Sequence, residues 1–234
     1  ARSGSASEYF VIRGDEGAQP VLLGSMDLSG ADFVLHSSDV YRVDVSDLEF
    51  DITGLWTATG DRMLHVMEMR DGVRSHANVS DLVEPGRWTK ADASGVGCGK
   101  SNNGCFIYLK LPAGLQLSST TFEASQGRFL SATGGSYMVL QGLTIRFTHE
   151  APVFFEGTRN VLIQDNTFSH NANGNDNAYG IRVWTSEGAI IRRNTVVDSR
   201  YWGGTPNSWG IATMTIGGSQ DVWICNNEVY DVIG

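Results

Sequence analysis

The chain has 234 residues, of which 41% are hydrophobic, and it carries a formal net charge of −9 with an isoelectric point near 4.9. This acidic balance excludes the basic stripe with which a protein neutralises nucleic-acid phosphates or an anionic membrane surface. The sequence has no run of about 20 apolar residues that could cross a bilayer, so we expect a soluble protein that does not insert into membranes.

The first 56 residues contain two short strand-like runs, Tyr9–Gly14 and Val43–Phe50. Both have the alternation of apolar and polar residues that is typical of β-strands. We expect residues 1–56 to form N-terminal coils of the kind described below for the second half of the chain.

Residues 57–130 are polar and rich in turns, with Asp-Gly at residue 71 and Pro-Gly at residue 85. Such dipeptides mark tight connections between strands. The flanking runs, Met67–Val73, Leu82–Thr89 and Cys105–Gly114, predict short antiparallel strands. We interpret 57–130 as a β-rich insertion.

Cys98 and Cys105 lie at the two ends of a glycine-rich loop, with six residues between them. This spacing predicts a small-loop disulfide, and therefore an oxidising compartment, either secreted or at the cell surface. A zinc site is disfavoured because no His or further Cys stands at ligand spacing. Cys225 lies on a predicted strand as a lone thiol, packed or facing outward.

Residues 131–234 contain a repeat. Four segments can be aligned without gaps, namely Tyr137–Ile145, Asn160–Phe168, Gly188–Val196 and Asp221–Val229. In this alignment Leu143, Asn166, Asn194 and Asn227 share one column, at separations of 23, 28 and 33 residues, which suit the coils of a solenoid. The apolar residues alternate with period two, so the coils are built from strands and not from helices.

The asparagines of this column predict a ladder. An Asn amide can donate to one neighbouring coil and accept from the other, and Asn tolerates the left-handed conformation of a sharp corner. The alternative is that Asn166, Asn194 and Asn227 are three independent turn residues.

The repeats resemble right-handed parallel β-helix proteins, the pectate-lyase-like architecture of many extracellular polysaccharide lyases and glycoside hydrolases. The resemblance is clear over 136–234 and weaker over 8–56. It implies an all-β fold, a right-handed parallel β-helix solenoid with a small antiparallel insertion. Because a solenoid normally needs caps, we expect the chain to be truncated at both ends, or to have its coil ends covered by another chain or by the missing part of the same protein.

Three loops of variable length leave the same corner of successive coils, around residues 148–151, 170–179 and 198–209. Variable loops on one side of a regular scaffold are typical of a binding site. Their aromatic residues can stack on sugar rings and their arginines can bind hydroxyls. The predicted substrate-binding residues are Tyr179, Arg182, Arg200, Trp202 and Trp209. The alternative is that these aromatic rings only close the flank of the solenoid.

A second column, four positions after the asparagines, contains Phe147, His170, Asp198 and Asp231. Side chains stacked in this way lie roughly 5 Å apart, close enough to perturb one another's pKa. The predicted catalytic residues are Asp198, His170 and Asp231, together with Glu150 and Asp176 on the loops. The alternative is that these aspartates only form turns, where Asp is common.

These features favour a glycoside hydrolase that cleaves a polysaccharide or oligosaccharide with paired carboxylates. One alternative is a lyase acting on uronate-containing glycans, with an arginine as base; another is a non-catalytic surface, adhesion or filament protein. No cofactor and no metal site are predicted. The Asn171–Asn177 cluster offers oxygen ligands for Ca²⁺ but lacks the acidic spacing of a calcium loop, which favours a solvated turn.

Overall fold

The computed structural model describes residues 3–49, 51–60, 62–65, 67–70, 73–99, 101–125, 127–149, 151–173, 180–198, 200–201 and 214–231. It divides into two compact units: a coil unit, Ala1–Gly24 with Gly127–Gly234, and an insertion unit, Ser25–Gln126.

The strands are as follows, in chain order. The first strands of the coil unit are β1 (Phe10–Arg13) and β2 (Val21–Leu23). Those of the insertion unit are β3 (Ser25–Ser29), β4 (Val34–Ser37), β5 (Val40–Asp44), β6 (Leu55–Thr57), β7 (Arg62–His65), β8 (Met67–Arg70), β9 (Val73–His76), β10 (Arg87–Asp92), β11 (Cys105–Lys110) and β12 (Thr121–Ser125). The coil unit continues with β13 (Leu130–Thr133), β14 (Ser136–Gln141), β15 (Thr144–Arg146), β16 (Val153–Glu156), β17 (Arg159–Gln164), β18 (Thr167–Ser169), β19 (Ala172–Asn173), β20 (Ile181–Trp184), β21 (Ile190–Arg192), β22 (Thr195–Val197), β23 (Arg200–Tyr201), β24 (Met214–Gly217), β25 (Trp223–Cys225) and β26 (Glu228–Tyr230). Short 3-10 helices lie at Gly30–Asp32, Val79–Asp81 and Leu117–Ser119.

The coil unit is a parallel β-helix with three sheets. Sheet 1 has the order β1-β14-β17-β21-β25, sheet 2 the order β2-β15-β18-β22-β26 and sheet 3 the order β13-β16-β20-β24. All neighbouring strands in these sheets pair in parallel. From residue 130 onward each coil passes from sheet 3 to sheet 1 and then to sheet 2. The predicted solenoid is confirmed, including Tyr9–Gly14, whose strand β1 pairs with β14.

The core of the coil unit consists of apolar side chains stacked in rows along the three sheets. Period-two alternation points every second residue of a strand inward, so the rows follow directly from the repeat. The rows include Leu140, Ile163 and Ile191 in sheet 1, Ile145, Phe168 and Val196 in sheet 2, and Phe155 and Val183 in sheet 3. Burial of each such side chain contributes about 1.5–3 kcal/mol.

The predicted asparagine ladder is present between sheets 1 and 2. Asn166 Oδ1 accepts the backbone N–H of Leu143 at 3.1 Å, while Asn166 Nδ2 donates to Asn194 Oδ1 at 3.0 Å. The same pattern continues from Asn194 to Asn227 Oδ1. Each amide also donates to a carbonyl of the preceding coil, as Asn194 Nδ2 does to Ile163. The ladder therefore supplies polar partners to a corner that is closed to water at Asn166 and Asn194.

Four corner columns have left-handed backbone, with φ between 47° and 70°. Their members are Gly134, Gly157, Thr185 and Gly218; Tyr137, Asn160, Gly188 and Asp221; Gly142, Asp165, Arg193 and Asn226; and Phe147, His170, Asp198 and Asp231. Non-glycine residues seldom adopt this conformation. Its repetition at matched positions shows that the coil geometry imposes it.

The insertion unit is built on an eight-stranded sheet of order β3-β12-β6-β7-β10-β11-β5-β4, in which β7 and β10 pair in parallel and the other neighbours antiparallel. The predicted hairpin around residue 71 is confirmed, because β8 and β9 pair antiparallel. The predicted boundaries differ from the structure, which places the insertion at Ser25–Gln126 and not at 57–130. Val43, expected in an early coil, lies on β5 and pairs antiparallel with Ile107. Alternating apolar residues suit a strand of either kind, so the pattern could not separate the two.

The predicted disulfide joins Cys98 to Cys105, with their Cα atoms 6.6 Å apart. Cys225 is a free, exposed thiol on the outward side of β25. Among the described residues, no helix is both long enough and apolar enough to span a bilayer.

A buried charged cluster lies beside the disulfide loop in the insertion unit. Lys90 Nζ donates to Asp51 Oδ1 at 2.5 Å, to Asn102 Oδ1 at 2.9 Å and to the Ser101 carbonyl at 3.2 Å. The Lys90 side chain is fully buried, and His76 Nε2 lies 3.2 Å from the same Asp51 oxygen. Burial lowers the pKa values of His76 and Lys90. Burial alone raises the pKa of Asp51, but the hydrogen bond from His76 and the charge of Lys90 leave it below its ordinary value.

Candidate functional site

The corner at which sheet 2 ends carries the second column predicted from the repeat. Phe147, His170, Asp198 and Asp231 each follow a strand of sheet 2 and have φ between 49° and 56°. The strands that precede these residues pair in register, since Ser169 faces Val197 on the next coil. The column therefore brings side chains of successive coils to the same corner.

His170 and Asp198 meet at this corner. The distance between His170 Nε2 and Asp198 Oδ2 is 3.6 Å, and 21% and 17% of the two side chains are exposed. The imidazole also packs on Phe147, with ring centroids 5.1 Å apart. Asp231, at the end of the column, is exposed. The corner thus holds a half-buried imidazole beside a carboxylate, a pair that can accept and release a proton.

Two contacts fix the coil that precedes His170 and the residue that follows it. Thr148 Oγ1 donates to Asn171 Oδ1 at 2.7 Å between successive coils. The guanidinium of Arg146 stacks on Phe147, 4.6 Å from the ring centroid. These contacts hold the preceding coil in a fixed position next to His170.

The variable loops leave this corner in register. Strand β19, which begins two residues after His170, pairs in parallel with β23, which begins two residues after Asp198. The pairing covers the first residues of the two longer loops, so both loops start in the same direction.

The outer face of sheet 3 carries a cluster of arginine and aromatic side chains. The Arg182 guanidinium lies 4.8 Å from the Phe154 ring centroid and 5.0 Å from that of Trp184, and Arg128 stacks on Phe154 at 4.7 Å. The Trp184 ring covers Gly217, where an added Cβ would lie only 2.5 Å from a ring carbon. Stacking on both rings holds the Arg182 side chain in place.

The structure brings His170 and Asp198 together, as the column predicts, and places Arg182 on the outer face of sheet 3. Glu150, Asp176, Tyr179, Trp202 and Trp209 lie outside the described residues, as does the side chain of Arg200. The predicted convergence of the loop residues on one groove therefore stays a prediction.

The sequence analysis did not identify the stacking roles of Phe154 and Trp184. A signal was available in the alternation of β16 and β20, which points Phe154, Arg182 and Trp184 outward together. Within the described part of the chain no group of three or more His, Cys, Asp or Glu side chains is placed to hold a metal ion, and the Asn171–Asn177 cluster is described only as far as residue 173.

The family model described as "Right handed beta helix region" matches residues 89–232. The chain belongs to the right-handed β-helix family. No curated protein matches the sequence. Among solved structures, the chain is similar to one entitled "The complex structure of XylC with xylose", with a TM-score of 0.49 and 9% sequence identity. That similarity covers 99% of this chain and 55% of the other, so the chain spans about half of that protein's length.

Proposed function

We propose that this β-helix protein is an extracellular, carbohydrate-active protein, and that it is a glycoside hydrolase whose site lies at the corner of His170 and Asp198. The contact between His170 and Asp198, half-buried where the variable loops begin, carries this proposal. The disulfide supports the oxidising compartment, because such bonds persist outside the cytosol.

In the proposed reaction Asp198 either donates a proton to the glycosidic oxygen as its bond to the sugar breaks, or takes a proton from the attacking water; a second carboxylate takes the other role. His170 holds the carboxylate in one orientation and serves as its proton partner. A second carboxylate, from Asp176 or Glu150, completes the pair that glycoside hydrolysis uses. Tyr179, Trp202 and Trp209 supply faces on which the sugar rings stack.

The decisive variant is Asp198→Asn, assayed by reducing-end release on a panel of plant and marine polysaccharides. We expect the rate to fall by about a hundredfold or more, because general acid–base catalysis contributes that much. Asn tolerates the left-handed backbone, so the thermal midpoint should stay close to that of the wild type.

Asp165→Asn is the matched control. Asp165 also has left-handed backbone at a corner and contacts Arg193 of the next coil at 2.7 Å, but it lies on the column between sheets 1 and 2. Its replacement should leave hydrolysis unchanged. Equal losses in both variants contradict the role of Asp198, and a wild-type protein that releases no reducing ends from any glycan contradicts the hydrolase.

A lyase is the second candidate, because Arg182 is held on the outer face of sheet 3 and an arginine can serve as the base. Product absorbance near 235 nm, from an unsaturated uronate, distinguishes it from a hydrolase in the same assay.

A further inference from the structure

A second ladder lies at the corner between sheets 3 and 1. The backbone N–H of Thr158 donates to Ser186 Oγ at 3.1 Å, and that of Ser186 donates to Ser219 Oγ at 3.1 Å. Thr158 Oγ1 also lies 2.9 Å from Ser186 Oγ, and both side chains are buried. The hydroxyls replace the asparagine amides of the other corner and hold successive turns at the coil spacing.

This corner forms a polar groove of about 430 Å³ along the coil axis. Its lining comes from four successive coils and includes Ser136, Arg159, Glu187 and Gln220. No atom lies within 4 Å of the place where a Cβ would stand on Gly134 or Gly157. The absence of these side chains keeps the floor of the groove open.

The wall of the groove carries donors and acceptors without a net charge. Arg159 and Glu187 occupy the same position on neighbouring coils, with Arg159 Nε 3.2 Å from Glu187 Oε2 and side-chain exposures of 70% and 56%. Gln220 continues this row on the next coil and Ser136 precedes it. The row therefore presents a hydroxyl, a guanidinium, a carboxylate and an amide in sequence.

The ligand that suits such a row is long, uncharged and rich in hydroxyl groups. Planar guanidinium, carboxylate and amide groups bind adjacent hydroxyls, and here they repeat at about 4.8 Å, the distance between paired strands. An extended glycan advances by a similar distance per sugar. A charged ligand would find its charge opposed by one member of the Arg159–Glu187 pair.

We propose that the corner groove of Ser136, Arg159, Glu187 and Gln220 binds a segment of a neutral polysaccharide along the coil axis, separately from the corner of His170 and Asp198. This inference rests on the proposed action on glycans. It adds a second binding groove to the proposed active site and specifies that the polysaccharide is uncharged.

Native gel electrophoresis in gels containing hydroxyethylcellulose, soluble xylan or glucomannan tests the groove, with alginate as an acidic comparison. The neutral polymers should retard the wild-type protein more strongly than alginate does. The double variant Arg159→Ala, Glu187→Ala should bind about tenfold more weakly, as expected when two exposed hydrogen-bonding groups are lost. Ser136→Leu, which places a bulky side chain without hydrogen-bonding groups in the groove and keeps the charged pair, should weaken binding as well.

The double variant Arg193→Ala, Asp165→Ala removes a matched ion pair from the column between sheets 1 and 2 and should retain wild-type retardation. The groove is overturned if the Arg159 and Ser136 variants migrate like the wild type, if the control pair loses binding equally, or if alginate retards the protein most. Reducing-end release by a wild-type protein whose groove variants bind normally overturns only the groove. A protein that neither binds nor cleaves any glycan overturns the proposed function and the groove with it.

Discussion

A lysine that is fully buried needs partners for its ammonium group, and Lys90 obtains them from Asp51, Asn102 and the Ser101 carbonyl. Two of these groups lie on the loop closed by the disulfide. The third, Asp51, also contacts His76. Lys90 therefore connects the loop to strand β10.

Lys90→Met should lower the free energy of unfolding by about 3 kcal/mol, because the change leaves Asp51 in a largely buried site without its cation. Lys110→Met is the control, since Lys110 and Asp39 form a more exposed pair at 3.5 Å. Its effect should stay within about 0.5 kcal/mol. Urea unfolding of both variants measures the difference, and similar losses would show that Lys90 does not hold the loop.

The buried cluster around Lys90 could not be predicted from the sequence, whereas the pair of His170 and Asp198 could. Asp51, His76 and Lys90 stand on separate segments with no common spacing, so only the folded sheet brings them together. His170 and Asp198 could be paired in advance because the repeat puts them in one column. The aromatic cluster on sheet 3 could be predicted in part. The strand alternation places its residues on one face, but their stacking depends on side-chain orientation, which the sequence does not give.

Among the corners of the coil, the asparagine ladder was predictable and the hydroxyl ladder was not. Asn166, Asn194 and Asn227 repeat one residue type whose amide can both donate and accept. The other ladder mixes threonine with serine, residues that are common in any loop. The asparagine ladder could be predicted because one residue type repeats along its column, whereas a column of mixed residue types gives no such signal.

Asn194→Ala should lower the free energy of unfolding by about 3 kcal/mol, because the buried N–H of Asn166 and the carbonyl of Ile163 each lose a partner. Asn227→Ala should cost about 1 kcal/mol, since Asn227 is only half-buried and water can replace its amide there. Chemical unfolding of the two variants provides the comparison. Equal costs at both positions would contradict a ladder in which burial sets the strength.

The first left-handed column allows a stabilising change. Gly134, Gly157 and Gly218 adopt this backbone freely, but Thr185, with φ of 47°, is β-branched and strained there. Thr185→Gly should raise the free energy of unfolding by about 0.5–1 kcal/mol. The change removes the cost of a left-handed backbone at threonine, and part of this gain is offset because glycine loses more chain entropy on folding.

Thr195→Gly is the matched change in a regular strand, β22, where glycine loses entropy and side-chain packing. It should destabilise the protein by about 1 kcal/mol. Thermal denaturation of both variants measures whether each change stabilises or destabilises the protein. A destabilised Thr185→Gly protein would show that the contacts of the threonine side chain contribute more stability than its left-handed backbone costs.

At the scale of the whole molecule, the two units differ in how much of their fold can be predicted from the sequence. The coil unit repeats a pattern, so its coils and the two corner columns could be predicted from the sequence, whereas its three sheets and core rows come from the structure. The insertion unit has no repeat, and its sheet joins strands from Ser25 to Ser125 through long-range antiparallel pairing. Its β8–β9 hairpin was visible in the turn residues. The strand predicted at Leu82–Thr89 begins only at Arg87, and the first strands of this unit resembled coils.

The disulfide gives the last prediction, because it relates the insertion unit to the environment in which the protein works. Cys98 and Cys105 are seven positions apart, and closing a loop of this length stabilises a fold by about 2.5 kcal/mol in the chain-entropy model. The same loop holds the partners of Lys90, so its release also loosens the buried cluster. Reduction of the wild type, or Cys98→Ser with Cys105→Ser, should therefore lower the thermal midpoint by several degrees. Cys225→Ser, at an exposed thiol, should keep the wild-type midpoint and remain sensitive to reductant. A wild-type midpoint that is the same with and without reductant would remove the support that the disulfide lends to an extracellular location.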